Sequence, residues 1–237
     1  MVLGECGRLP LQIVYMSKAV KYWCRLLHLS HKRLPKQCYF MLKSLDDVGR
    51  ATWATHIKNI LFQYGFGYAW IGQDVGDIEN FMSLFKQRLS DTLTQSWYSS
   101  VINSPKCKYY CQYKTLLNVE RYLCCDIPIH LKSAFSKFRC SNFNLAVETG
   151  RYENVNYSER FCLYCMSRGI SVTEDEWHVF YVCECYVDIR NEYIAKYLTK
   201  YHSINNFVSI CQSSNVDVIK NVYLYLYYVH KRIKTRG

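Results

Sequence analysis

The run Cys162-Leu-Tyr-Cys165-Met-Ser-Arg-Gly-Ile-Ser-Val-Thr-Glu-Asp-Glu-Trp-His178-Val-Phe-Tyr-Val-Cys183 sets four soft-metal ligands at a C-x2-C-x12-H-x4-C spacing. Zinc takes about four nitrogen or sulfur donors at tetrahedral corners, commonly as two close pairs joined by a loop. Cys162 and Cys165, three apart, can form one chelating turn. His178 and Cys183, five apart, can supply the second pair from the first turns of a helix. Cys185 is an alternative fourth ligand. Cys183 is the better candidate, because Val179, Phe180 and Val182 then form a short apolar turn between the ligands. Four protein ligands leave no open position for water or substrate, so the site reads as structural. Glu174, Asp175 and Glu176 read as a solvated loop able to cap the helix that carries His178.

Outward from this run the periodicity is helical. Ile13, Met16, Val20, Trp23 and Leu27 step by three and four. Pro35 can open a second helix ending near Asp46-Asp47, and Trp53 to Tyr64 makes a third, stopped by Gly65 and Gly67. Asp77 is an N-cap candidate for a long helix with Phe81, Leu84, Phe85, Leu89, Leu93 and Trp97 inward, broken at Ser104-Pro105. Leu116 to Leu123, Pro128 to Arg139, Val187 to Tyr201 and Asp217 to Ile233 complete the set. The fold class expected is mainly α, a helical bundle with a small CCHC zinc-binding module at residues 158–190. The expected domains are 1–105 and 106–237.

Half of the 237 residues are hydrophobic and 21% are charged, a globular composition. No signal-peptide pattern is present, and no apolar run reaches the ~18 residues that span a bilayer. Thirteen cysteines without secretory features point to reduced thiols in the nucleus or cytoplasm. A net charge of +11 points to an anionic partner, RNA or DNA rather than a membrane. Lys137, Arg139, Arg151, Arg160, Arg168 and Tyr164 cluster around the module and are the candidate nucleic-acid contacts: cations for phosphate, aromatic rings for stacking.

Catalytic signals are weak. Asp46-Asp47 reads as a helix end, and Gly65-Phe66-Gly67 as a turn. No phosphate-cradling G-x-x-x-x-G-K-[ST] loop occurs. Cys107, Cys111, Cys124 and Cys125 form a second cysteine group, either a further metal site or, more commonly for such residues, buried thiols.

The segment Phe138-Arg-Cys-Ser-Asn-Phe-Asn-Leu-Ala-Val-Glu-Thr-Gly-Arg-Tyr152, with Arg160-Phe-Cys-Leu-Tyr-Cys165 and Glu174-Asp-Glu-Trp-His178, resembles the C-terminal region of non-LTR (LINE-type) retrotransposon reverse transcriptases, which includes a CCHC zinc-binding domain. Gly7-Arg-Leu-Pro-Leu-Gln-Ile, Lys21-Tyr-Trp23, Phe85-Lys-Gln-Arg-Leu-Ser-Asp91 and Gln95-Ser-Trp97 resemble the region C-terminal to the polymerase core in such elements. The resemblance implies that Cys162, Cys165, His178 and Cys183 are the zinc ligands. It also implies a reverse-transcriptase tail that contacts RNA or DNA without fingers, palm or endonuclease, and so is no enzyme on its own. Two positions depart from the family pattern: Glu184 comes after the last ligand where Pro is common, and Phe143 stands where relatives often carry His. The alternative readings are a zinc-stabilised module for a protein partner and a remnant of such an element.

Overall fold

The computed structural model describes residues 1–235. The chain is mainly α. Among the described residues no strand forms, only the isolated antiparallel bridges Cys6–Val119 and Phe161–Thr173. No described helix is long and apolar enough to cross a membrane. The chain divides into two compact units, Leu9–Trp97 and a second made of Met1–Arg8 together with the chain from Tyr98 onward. The division expected at residue 105 therefore lies earlier, within a helix, and the first eight residues belong with the C-terminal part.

In the Leu9–Trp97 unit, α1 (Gln12–His28), α2 (Leu34–Asp47), α3 (Trp53–Gln63) and α4 (Ile78–Ile102) supply most of the core. Met16, Val20 and Trp23 of α1 are buried, and the Trp23 indole N–H donates to the Tyr39 hydroxyl of α2 at 2.9 Å. Thr52 and Thr55 form a reciprocal capping box that opens α3. Asp77 accepts from the Asn80 amide at 2.7 Å, as its N-cap assignment requires. Leu84, expected inward, is 63% exposed. Asp46 is buried and accepts from Lys58 at 3.1 Å, so only Asp47 of the adjacent acids reaches water.

The second unit is built on α5 (Ile129–Arg139) packed along α8 (Val216–Lys234), with α6 (Val187–Tyr193) and α7 (Ile204–Cys211) beside them. Phe135 stacks on Tyr223 at 4.5 Å between ring centres. Phe180 meets Phe138, Phe207 and Tyr225 within 5.2–6.0 Å. Helix is sparser than periodicity suggests at two places. Between 114 and 120 the chain is irregular, with a single turn only at Arg121–Cys124, because the Cys6–Val119 bridge and the Glu120 amide's bond to the Glu5 carbonyl (2.9 Å) hold it extended. The segment expected to be helical to Tyr201 leaves the α-helix after Tyr193.

Arg139 explains why the N-terminal segment docks here. Its side chain is 0% exposed and its guanidinium grips Glu5 by two bonds of 3.0 and 3.2 Å. It also pairs with Glu120 at 2.8 Å and donates to the Cys211 carbonyl at 3.1 Å. Lys114, 1% exposed, holds the other oxygen of Glu120. Gly7 makes the close approach possible: its φ is +57°, and a Cβ there would lie 2.3 Å from the Val119 nitrogen.

Candidate metal centre

Cys162, Cys165, His178 and Cys183 come together as a buried cluster whose ligand atoms all lie within 4.8 Å of one another. Cys162 Sγ is 3.8 Å and Cys165 Sγ 3.9 Å from Cys183 Sγ, and Cys165 Sγ is 3.4 Å from His178 Nε2. The cluster could hold a metal ion. Among the described residues it is the sole such group, so Cys107, Cys111, Cys124 and Cys125 do not make a second one. Cys185 lies outside the cluster, half-buried, and its carbonyl accepts from Arg232.

Local sequence builds each half. Cys162 precedes the single helical turn Leu163–Met166, which sets Cys165 on the same side. The Arg168 and Ile170 amides both donate to the Cys165 carbonyl, and the chain reverses at Gly169, whose φ of +77° suits glycine. Bonds from the Cys162 amide to the Val172 carbonyl (2.8 Å) and from the Glu174 amide to the Arg160 carbonyl (2.9 Å) then close the loop. The other half is a π-helical turn, His178–Val182, not the α-helix expected. The reason is geometric. Five residues along an α-helix separate two side chains by about 140°, too far to chelate one ion. The wider turn, closed by the Cys183 amide on the His178 carbonyl at 2.8 Å, brings both donors to one side.

Two residues missed by sequence reasoning brace this turn. Arg190 is buried and donates to the carbonyls of Phe180 (3.0 Å), Val179 (3.2 Å) and Cys183 (2.9 Å). Tyr225 donates to the Val179 carbonyl at 2.7 Å. Glu174, Asp175 and Glu176 are buried rather than solvated. Glu174 accepts from the Ala146 amide at 3.0 Å. Asp175 caps the turn, one oxygen taking the His178 amide at 2.9 Å. Its other oxygen binds Tyr109 (2.7 Å), Lys108 (3.0 Å) and Tyr157 (3.1 Å). Despite strong desolvation, these donors hold the Asp175 carboxyl below its ordinary range, whereas burial pushes Glu176 up.

The three thiols act strongly on one another. Hydrogen bonding from Cys183, helped by His178, draws Cys162 well below the usual thiol range. Burial and the neighbouring Cys162 push Cys165 up, and hydrogen bonding to Cys162, with burial, does the same to Cys183. A bound cation removes that conflict by letting all three ionise together. Among the described residues no side chain or carbonyl hydrogen-bonds the buried His178 Nδ1.

The candidate nucleic-acid residues separate into two groups. Arg139 is not a surface residue: the Glu5 and Glu120 carboxylates consume it. Arg160 is half-buried and its guanidinium is spent on the Val147 and Val155 carbonyls, with its stem against Gly150. Lys137 and Tyr164 are half-buried. Arg151 and Arg168 are exposed, each 2.8 and 2.6 Å from a carboxylate (Glu148, Glu184) and each over a tyrosine ring, Tyr152 at 4.9 Å and Tyr164 at 4.5 Å. Lys108, which lies far upstream in sequence, makes the same arrangement over Tyr157 at 5.2 Å. Phe143 is buried between Phe138 and His230, an apolar role. Compared with protein-family models, curated proteins and solved structures, the chain matches none.

Proposed function

We propose that this chain binds single-stranded or structured nucleic acid through a zinc-stabilised surface, and that it does so without polymerising or cutting. Zinc is the reading of the metal because a tetrahedron with ~2.3 Å metal–sulfur and ~2.05 Å metal–nitrogen bonds sets S···S near 3.8 Å and S···N near 3.5 Å. Three of the six donor separations, 3.8, 3.9 and 3.4 Å, match that tetrahedron, and all six lie within 4.8 Å. Cys162, Cys165, His178 and Cys183 would hold the ion and use all four positions, so it supplies folding free energy rather than chemistry. The resemblance to the tail of non-LTR retrotransposon reverse transcriptases supports the same reading.

The observation that carries the proposal is the set of exposed cation–tyrosine pairs beside the metal loop: Lys108 with Tyr157, Arg151 with Tyr152, and Arg168 with Tyr164. Arg151 and Arg168 can exchange their carboxylate partners for phosphate, Lys108 can take a phosphate while still holding Asp175, and the tyrosine rings can stack with unpaired bases. Titration of a labelled single-stranded oligonucleotide at several salt concentrations tests this. Three phosphate contacts give a log–log slope near −2 for a single strand. The triple variant Lys108→Gln, Arg151→Gln, Arg168→Gln, which leaves Asp175 its Tyr109, Tyr157 and His178 donors, should flatten that slope while metal analysis still returns one zinc per chain. Affinity independent of salt, or unaltered in the triple variant, refutes the proposal.

A further inference from the structure

A partly enclosed cavity of about 280 Å³ lies between the Pro105–Cys107 turn, the short helix Ala146–Tyr152 and the chain that leads into Cys162. Cations reach it from three stretches of sequence: Lys106 and Lys108, Arg151, and Arg160. Their depths differ. Lys108 and Arg151 stand at the mouth, with side chains 50% and 40% exposed, whereas Lys106 is 16% exposed and Arg160 is half-buried. Arg160 is fixed in place. Its guanidinium donates to the Val147 and Val155 carbonyls at 2.7, 2.8 and 3.0 Å, and a Cβ on Gly150 would come within 2.8 Å of its stem. Those bonds use three of its five N–H groups and neutralise none of its charge. Among the described residues Arg160 pairs with no carboxylate. The acids nearby are occupied. Glu148 accepts on one oxygen from Lys106 (2.6 Å), Arg151 (2.8 Å) and the Tyr152 hydroxyl (3.2 Å). Asp175 takes Lys108 at 3.0 Å, and Glu176 is buried beside Ser141. Four cations against these three carboxylates leave one positive charge over, in a recess where it attracts an anion more strongly than on an open surface.

We propose that this cavity binds a phosphate monoester, an inference that deepens the nucleic-acid reading above and rests on it. A monoester carries a charge of about −1.5 to −2 at pH 7 and three terminal oxygens to accept N–H groups. An internal phosphodiester carries a single charge and has chain leaving it on both sides. It can touch Lys108 and Arg151 at the mouth but cannot pass inward to Lys106 and Arg160. A terminal phosphate can. Lys106 and Arg151 share one oxygen of Glu148, so both keep N–H groups to give it. The Tyr157 ring, 43% exposed and 5.2 Å from the Lys108 ammonium, stands at the same mouth to stack on the base that carries the phosphate. Two sources offer this chemistry, the end of a strand and a free mononucleotide.

Fluorescence anisotropy with the full, metal-loaded chain tests the inference on one oligonucleotide carrying hydroxyl ends, a 5′-phosphate or a 3′-phosphate. A terminal phosphate at one of the two ends should tighten binding roughly 10-fold. A hydroxyl-ended strand one nucleotide longer, which adds its charge as a diester, should gain much less. Lys106→Gln should abolish the gain while hydroxyl-ended affinity and zinc content stay as they were, and Lys106→Arg should keep it. Adenosine monophosphate identifies the source. If it displaces the phosphorylated strand only at large excess, the site takes a strand end. If it binds the native chain but not Lys106→Gln, and end phosphorylation adds nothing, the site takes a free mononucleotide. Equal affinity for all three ends, with no Lys106-dependent binding of adenosine monophosphate, overturns the inference, as does a gain that survives Lys106→Gln. The nucleic-acid reading fails separately, on hydroxyl-ended affinity that does not respond to salt.

Discussion

Replacing Arg139 with Met removes a charge whose four contacts hold two carboxylates and a carbonyl, while keeping much of the stem's volume. Glu120 retains Lys114 as a partner, but among the described residues Glu5 pairs with no other cation. The variant therefore strands one carboxylate whose side chain is 4% exposed. Breaking one side of so buried a pair costs about 3–5 kcal/mol. At about 2–4 °C per kcal/mol for a chain of this size, the melting midpoint falls by roughly 6–20 °C. Calorimetry of native protein, Arg139→Met, Glu5→Gln and the double variant closes a cycle. The double should lose less than the sum of the singles, by about 1–3 kcal/mol, since neither partner is then left charged and alone. Below its melting range Arg139→Met should bind an oligonucleotide with the native salt slope, because no Arg139 atom reaches solvent. An unchanged midpoint, or strictly additive losses, would refute the reasoning.

The geometry sets three further outcomes. Cys162→Ser with Cys165→Ser should abolish metal binding and strip hydrogen-exchange protection from residues 155–190, a loss of several kcal/mol locally; retained protection there would show the metal is not structural. Gly7→Ala forces a Cβ into the Asn118–Val119 backbone at a φ of +57°. It should cost about 1–3 kcal/mol and speed exchange of the Glu120 amide that donates to Glu5. The Asp188 carboxyl, hydrogen-bonded by Arg232, is held down to about 2. That lies below the ordinary value near 3.9, so its stabilisation is present above about pH 4 and lost as pH falls through 2. With Asp188 61% exposed the effect is screened to under ~1 kcal/mol. Asp188→Asn should accordingly lower the midpoint slightly at pH 7 and much less near pH 2, which paired thermal melts would register.

Where one physical rule acts locally, the chain is legible from its residues alone. Helix faces such as Met16-Val20-Trp23 and Ile219-Val222-Leu226-Val229-Ile233 are buried because a 3.6-residue repeat leaves few other packings. Ligand spacing likewise locates the Cys3His cluster. Spacing does not convey the π turn, since five residues between donors specify a separation along the chain and not the wider helix that reconciles it. Long-range pairings are equally silent. Arg139, Arg151 and Arg160 look alike in sequence, yet one meets Glu5 from the other end of the chain, one meets solvent and one meets backbone carbonyls. The charged triplet at 174–176 looks solvated for the same reason: Lys108, Tyr109 and Tyr157, which accept Asp175 into the interior, are remote in sequence. Loss of regular helix at 114–120 reflects tertiary bonds overriding local propensity.

The docking of Met1–Arg8 onto residues far downstream has a consequence for the order in which the molecule is made. Glu5 leaves the ribosome 134 residues ahead of Arg139. At about 5–20 residues per second the first segment waits on the order of ten seconds for its partner. During that interval the whole Leu9–Trp97 unit emerges with its own core complete, so it can fold first as an insertion within the other unit's chain. The second unit closes last, when its opening residues return to a site that did not exist as they were synthesised.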